Sequence, residues 1–179
     1  MKRLLVIILM ATAVLISCND DNNLNEGTGI LSVSLTDAPG DYEAVLIDLQ
    51  GLRINAAGDS IDEGGWQDLA LDTMGQIDLL MFTDGESILL TEEELPAGRM
   101  NQMRMILGSN NEIVVNGDTL ELETPSAQQS GLKFNINADI EQGQTFDMTI
   151  DFDAEKSVIE KGNGTYSLKP VITVLTDSI

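Results

Sequence analysis

The residues best suited to chemistry in this sequence are carboxylates, and the densest set is Asp151-Phe152-Asp153-Ala154-Glu155, with Asp147 four positions earlier. Read as one extended strand, the alternation places Asp147, Asp151, Asp153 and Glu155 on one side. Oxygen ligands gathered in this way suit Ca2+, which takes about 6–8 of them. A solvated acidic strand face has the same pattern. It is the favoured reading, because Lys156 and Gly162 stand where an EF-hand loop needs Gly and Glu. Asp37 and Asp41, with Glu43 beside them, form a second acidic group, and a Ca2+ site requires the fold to bring it to the first. Asp37 is equally suited to capping a turn through backbone bonds.

Other chemistries are narrower. The chain has no His and one Cys, which excludes His-based triads, imidazole metal sites and Cys-rich clusters. Ser126, Gln128, Gln129 and Ser130 form a polar loop that either contacts a ligand or, the favoured reading, satisfies backbone groups at a crossover. A Ser nucleophile there lacks its usual base, and Lys133 alone does not supply one. Carboxylate pairs can hydrolyse glycosides. Thirty Asp and Glu residues make chance pairs certain, while only Trp66, Tyr42 and Tyr166 offer sugar platforms besides four Phe. Met100, Met103 and Met105 fit core packing better than copper, whose soft sites usually add His or Cys. The expectation is a non-enzyme without a cofactor, Ca2+ being the exception left open. A formal charge of −21 opposes binding to nucleic acid, which requires clustered cations.

The elements that must position these residues are strands. Leu31, Val33 and Leu35 alternate, then Thr36 to Asp41 turns. Val45, Ile47 and Leu49 are in phase, and the phase shifts after Gly51 to Leu52 and Ile54, as a β-bulge causes. Asn55 to Gly65 reads as a loop and Trp66 to Leu71 as a short strand. Ile77 to Phe82 predicts a buried strand, while Ser87 to Leu95 fits either a helical turn or a strand. Met100 to Leu107 is a strand, and Ile113-Val114-Val115 before Asn116-Gly117 predicts a hairpin with Ile113 facing Leu120, both inward. Phe134, Ile136, Ala138 and Ile140, then Phe146, Met148, Ile150 and Phe152, give the cleanest alternation. Tyr166, Leu168, Ile172 and Val174 predict a last strand, at an edge or bulged because Pro170 lies inside it. Eight or nine short strands argue for an all-β fold, an antiparallel two-sheet β-sandwich of immunoglobulin-like or transthyretin-like style.

At the other end, Lys2 and Arg3 precede an apolar run from Leu4 to Ile16, too short for a comfortable span of roughly 20 residues. Residues 1–17 read as a signal peptide. Leu15-Ile16-Ser17-Cys18 resembles the bacterial lipoprotein box, in which the Cys is acylated and becomes the mature amino terminus. Residues 18–28, rich in Asn and Asp, then read as an acidic tether, and 29–179 as one sandwich domain. Cys-Asn-Asp-Asp also resembles the export tag of surface lipoproteins in the Bacteroides group.

Five strings share one resemblance: LSVSLTDAP from Leu31, the stretch Leu95 to Leu107 around Pro96-Ala97-Gly98, TPSAQQSGLK from Thr124, DFDAEKSV from Asp151 and LKPVI from Leu168. In order and spacing they resemble the bacterial family called domain of unknown function 4382. The resemblance implies a secreted or lipid-anchored protein with a sandwich similar to transthyretin-like or carboxypeptidase-regulatory-like domains, and brings no catalytic residues. Together these readings predict an envelope lipoprotein, anchored in the outer membrane and surface-exposed. Its sandwich would act as a non-enzymatic binding or structural module, with an envelope protein or glycan as partner.

Overall fold

Strand alternation dictates two-faced ribbons, and the computed structural model, which describes residues 27–56, 65–124 and 130–176, builds two sheets from them. Thirteen strands lie among the described residues: β1 (Thr28–Thr36), β2 (Ala44–Ala56), β3 (Trp66–Leu69), β4 (Gly75–Asp78), β5 (Ile88–Pro96), β6 (Gly98–Leu107), β7 (Glu112–Val115), β8 (Asp118–Glu123), β9 (Leu132–Ile140), β10 (Thr145–Phe152), β11 (Val158–Glu160), β12 (Tyr166–Leu168) and β13 (Ile172–Thr176). Two single turns interrupt them, a 3-10 helix η1 (Leu79–Phe82) and an α-helix α1 (Ala154–Ser157).

The first sheet has the order β13-β10-β1-β5. The second is organised about the long β2, which pairs with β4 and β3 along one edge and with β7 and β6 along the other. β9 continues from β6, while β8, β12 and β11 continue from β7, so the sheet forks at β2. The fork is held by Asn111, which is 1% exposed. Its Oδ1 accepts from the Asp48 N–H at 2.8 Å, and its Nδ2 donates to the Gly108 carbonyl at 2.8 Å and to Thr124 Oγ1 at 3.0 Å.

The inner faces of both sheets merge into one apolar cluster. Leu31, Val33 and Leu35 of β1 meet Ile47, Leu49, Leu52 and Ile54 of β2, Met103 and Met105 of β6, and Met148, Ile150 and Phe152 of β10, all buried. Ile136 and Leu168 join them; Phe134, Phe146 and Ile172 pack at the rim. The predicted bulge in β2 is present between Leu49 and Gly51, which lets Leu49 and Leu52 both face inward. The two-sheet sandwich follows the sequence reading, and Ser87 to Leu95 resolves as strand. Its three Glu residues lie on an edge strand, where charge discourages pairing with another chain.

Several expectations are corrected. Two pairings, β1 with β10 and β8 with β12, are parallel. Strands this distant in sequence need no hairpin, so nothing local forces them antiparallel. Ile77 to Phe82 is not one strand: Asp78 Oδ1 accepts from Leu80 N and Val45 N, both at 3.2 Å, and caps the turn of η1, which buries Leu79 and exposes Met81. Leu120 does face Ile113, but β12 pairs only as far as Leu122, and Leu120 stays 36% exposed. Tyr166 to Val174 is two strands in different sheets; Pro170 sits where the chain crosses between them and no ladder donor is needed. At the other end β1 begins at Thr28, and the Gly27 carbonyl accepts from Ala97 N, so the last part of the expected tether already belongs to the sheet region.

Candidate functional site

β1 and β10 run side by side and end together, with Thr36 opposite Asp151. Beyond their ends the strand pattern of residues 151–155 breaks, since Asp153 Oδ1 accepts from the Lys156 N–H at 3.0 Å and starts α1. The Asp153 carboxylate also pairs with Lys156 Nζ. That hydrogen bond holds its pKa below the usual carboxylate range. Asp37, 4% exposed, reaches the same helix, its Oδ1 accepting from Ala154 N at 2.8 Å while Oδ2 makes no hydrogen bond. Burial pushes the Asp37 carboxyl up to about 6; the charges of Asp151 and Asp153 add to the rise and the Ala154 N–H opposes it. Asp151 is raised too, by burial first and then by Asp153.

The fold therefore gathers Asp37, Asp151 and Asp153 at one end of the sandwich. Glu155 turns away with the helix and its Oε2 accepts from the backbone N–H of Asp41 at 3.0 Å, so Asp41 joins through its main chain. Asp147 lies four residues back on β10, opposite Ser32, and is exposed. No group of three or more acidic residues among the described residues is arranged to hold a metal ion. The single-sided ladder of Asp151, Asp153 and Glu155 required an extended chain, and the helix cap replaces it. Asp37 and Glu155 fasten the Asp37–Asp41 turn to α1.

The outer face of the second sheet carries a different set, which sequence reasoning missed. Directly paired residues share a face, and one row across four strands reads Asp68, Arg53, Arg104, Lys133. Arg53 Nε lies 2.8 Å from Asp68 Oδ1, and Asp68 is 80% exposed. The next row reads Trp66, Asn55, Gln102, Asn135, with Gln102 Nε2 donating to Asn135 Oδ1 at 3.3 Å. The Arg104 guanidinium stands 4.3 Å from the centre of the Trp66 ring and Lys133 Nζ stands 5.9 Å from it. Arg104 is steered there by Gly131, at φ +71°, where a Cβ would lie 2.7 Å from Arg104 Cγ.

Three of the seven Lys and Arg residues that follow Arg3 thus meet around the only Trp. Like charges directly opposite on a sheet are destabilising, each pair by an amount on the order of a few tenths to 1 kcal/mol. Cation–π contact offsets about 0.5–2 kcal/mol. Ser130, exposed, immediately precedes Gly131. Ser126, Gln128 and Gln129 lie outside the described residues, as do Cys18 and residues 1–26. Alternation around Lys133 was the one signal in the sequence that a charge faced outward here; its partners come from strands far away in the chain.

A two-sheet β-sandwich with these faces is an all-β module. The chain belongs to the family described as Domain of unknown function (DUF4382), whose profile matches residues 28–170. Among solved structures it is similar to a "putative cell adhesion protein" from Bacteroides fragilis NCTC 9343, at 12% identity and a TM-score of 0.39, over 85% of this chain and 46% of that one. The chain thus spans less than half of that protein. No curated protein matches the sequence.

Proposed function

We propose that the protein is a lipid-anchored, non-enzymatic binding module of the cell envelope, held at the outer membrane through Cys18 and presenting the outer face of its second sheet to a ligand. One observation carries the binding role: in a chain of net charge −21, Arg53, Arg104 and Lys133 stand in one row beside Trp66. Lys133, exposed at the end of that row and 5.9 Å from the half-buried Trp66 ring, is placed to meet something outside the chain. The anchor rests on the lipoprotein-box string Leu15 to Cys18, and acyl chains on one cysteine hold a protein far better than a single chain does. Membrane fractionation of cells carrying wild-type protein or Cys18→Ala tests the anchor. The wild type should sediment with outer membranes, and the variant should be released or remain as unprocessed precursor. Mass spectrometry showing an unmodified Cys18 on membrane-derived protein would overturn it.

A further inference from the structure

We infer that the acidic end of the sandwich is a proton-operated clasp. While Asp37 holds a proton, the turn of residues 37–41 stays fastened to α1; when the proton leaves, the turn lifts away with both sheets still paired.

The clasp consists of two carboxylate bonds, one from each side. Asp37, at the root of the turn, accepts from the Ala154 N–H of α1 at 2.8 Å, and Glu155 of α1 accepts from the Asp41 N–H at the far end of the turn at 3.0 Å. Between them Gly40 lies close against its neighbours: a Cβ there would stand 3.2 Å from Glu155 Oε2 and 3.6 Å from Leu80 Cδ2. β1 ends before the turn and β2 begins after it, each with its own ladders in its own sheet. The turn can therefore open without unpairing either strand, a local event that requires less free energy than unfolding the domain.

Two oxygens call for the proton. Asp37 Oδ2 and Asp151 Oδ1 are buried, and neither has a hydrogen-bond partner. They belong to adjoining strand ends, because Thr36, next to Asp37, is paired with Asp151 across the parallel ladder. A buried carboxylate oxygen without a donor is costly, and the cost falls when the group is neutral. No acidic group among the described residues is arranged for a metal ion, and Lys156, the cation at this end, is bonded to Asp153. A proton is the cation left to neutralise the pair.

The groups facing Asp37 leave it little other relief. β10 contributes Asp151, residues 153–156 contribute Asp153, Glu155 and Lys156, and the turn contributes Asp41. η1 contributes the Phe82 carbonyl, which accepts from Asp37 N at 2.9 Å, and has no charged residue. Asp153 is balanced by Lys156 and Glu155 is held by Asp41 N, so an ionised Asp37 meets the charge of Asp151. Water beyond the turn is where that charge is best accommodated. Burial and these charges place the ionisation at about 6 in the closed state, against 3.8 in water.

Amide hydrogen exchange of the full chain in non-ionic detergent, corrected for the intrinsic pH dependence of exchange, tests the clasp. Protection at Ala154 and Asp41 should fall about tenfold between pH 5 and pH 7. At pH 7 it should lie roughly tenfold or more below the protection of Ile150 in β10. In Asp37→Asn the fall should shrink to less than about threefold. If that variant does not fold, Asp151→Asn, which removes the opposing charge, should diminish the fall. Protection at Ala154 equal to that of Ile150 at both pH values would show that only global unfolding exposes it, and would overturn the clasp. Protection independent of pH in the wild type would overturn the proton. A fall undiminished in both variants would overturn the roles of Asp37 and Asp151.

Discussion

Asp37 and Ala154 are 117 residues apart in the chain and are joined by a buried hydrogen bond, the Ala154 N–H donating to Asp37 Oδ1 at 2.8 Å. The bond ties the end of β1 to the first turn of α1, and it is made by a carboxyl group whose second oxygen has no partner. The cost of ionising that group in the folded state makes the junction sensitive to pH.

The sign follows from the direction of the shift. Asp37 titrates near 6 in the folded chain against an ordinary value of 3.8. Between these values the folded state holds a proton that the unfolded state has released, so the contribution is fully present below about pH 4 and is lost as pH rises through about 6. Asp151, also raised, acts in the same sense, while Asp153, lowered by Lys156, acts in the opposite one. Asp37→Asn keeps an acceptor for Ala154 and removes the titration. Relative to this variant, the wild type should lose on the order of 2–3 kcal/mol between pH 4 and pH 7. Urea unfolding of both proteins across that range measures the difference; parallel curves would contradict it.

Asn111→Ala should cost about 2–4 kcal/mol, since it leaves the Asp48 N–H, the Gly108 carbonyl and the Thr124 hydroxyl short of a buried partner at the fork of the second sheet. Asn110→Ala, next door and exposed, should change the melting temperature far less. Equal effects would mean that the fork does not depend on Asn111.

Ile150, fully buried at the centre of β10, should cost about 2–5 kcal/mol on truncation to Ala. Met81→Ala, at a side chain 69% exposed, should cost well under 1 kcal/mol. Chemical denaturation of the two variants checks both figures together.

The single Trp provides a direct probe of the cation row. Arg104→Ala removes the group stacked 4.3 Å from the Trp66 ring and should increase acrylamide quenching of the indole fluorescence. Gly131→Ala should do the same by displacing the Arg104 stem, and should also lower stability through strain at a positive φ. Quenching that is unchanged in both would show that Arg104 does not shield the ring.

What the sequence made legible was whatever depends on near neighbours. Period-two alternation marked β9 and β10 and their core faces, Asn116-Gly117 marked a hairpin, and the change of phase after Gly51 marked the bulge in β2. Pairing between distant strands was not legible, because nothing in Leu31 to Leu35 indicates that the neighbour is Phe146 to Ile150 running parallel. The acidic end was half legible for the same reason. Asp37, Asp151 and Asp153 do meet, but the cap at Asp153 ends the strand and turns Glu155 toward Asp41. Arg53, Arg104 and Lys133 are separated by long stretches of chain, and only the register, bulge included, sets them opposite one another.

The position of β1 has a mechanical consequence. It is an inner strand, hydrogen-bonded to β10 along one edge and to β5 along the other. A pull arriving from the amino-terminal side enters the domain at Thr28 and runs along this strand. Both ladders are then loaded in shear, many bonds at once, whereas a strand at the margin could be peeled away one bond at a time. A domain loaded through an inner strand in this way resists tension applied at its amino-terminal side.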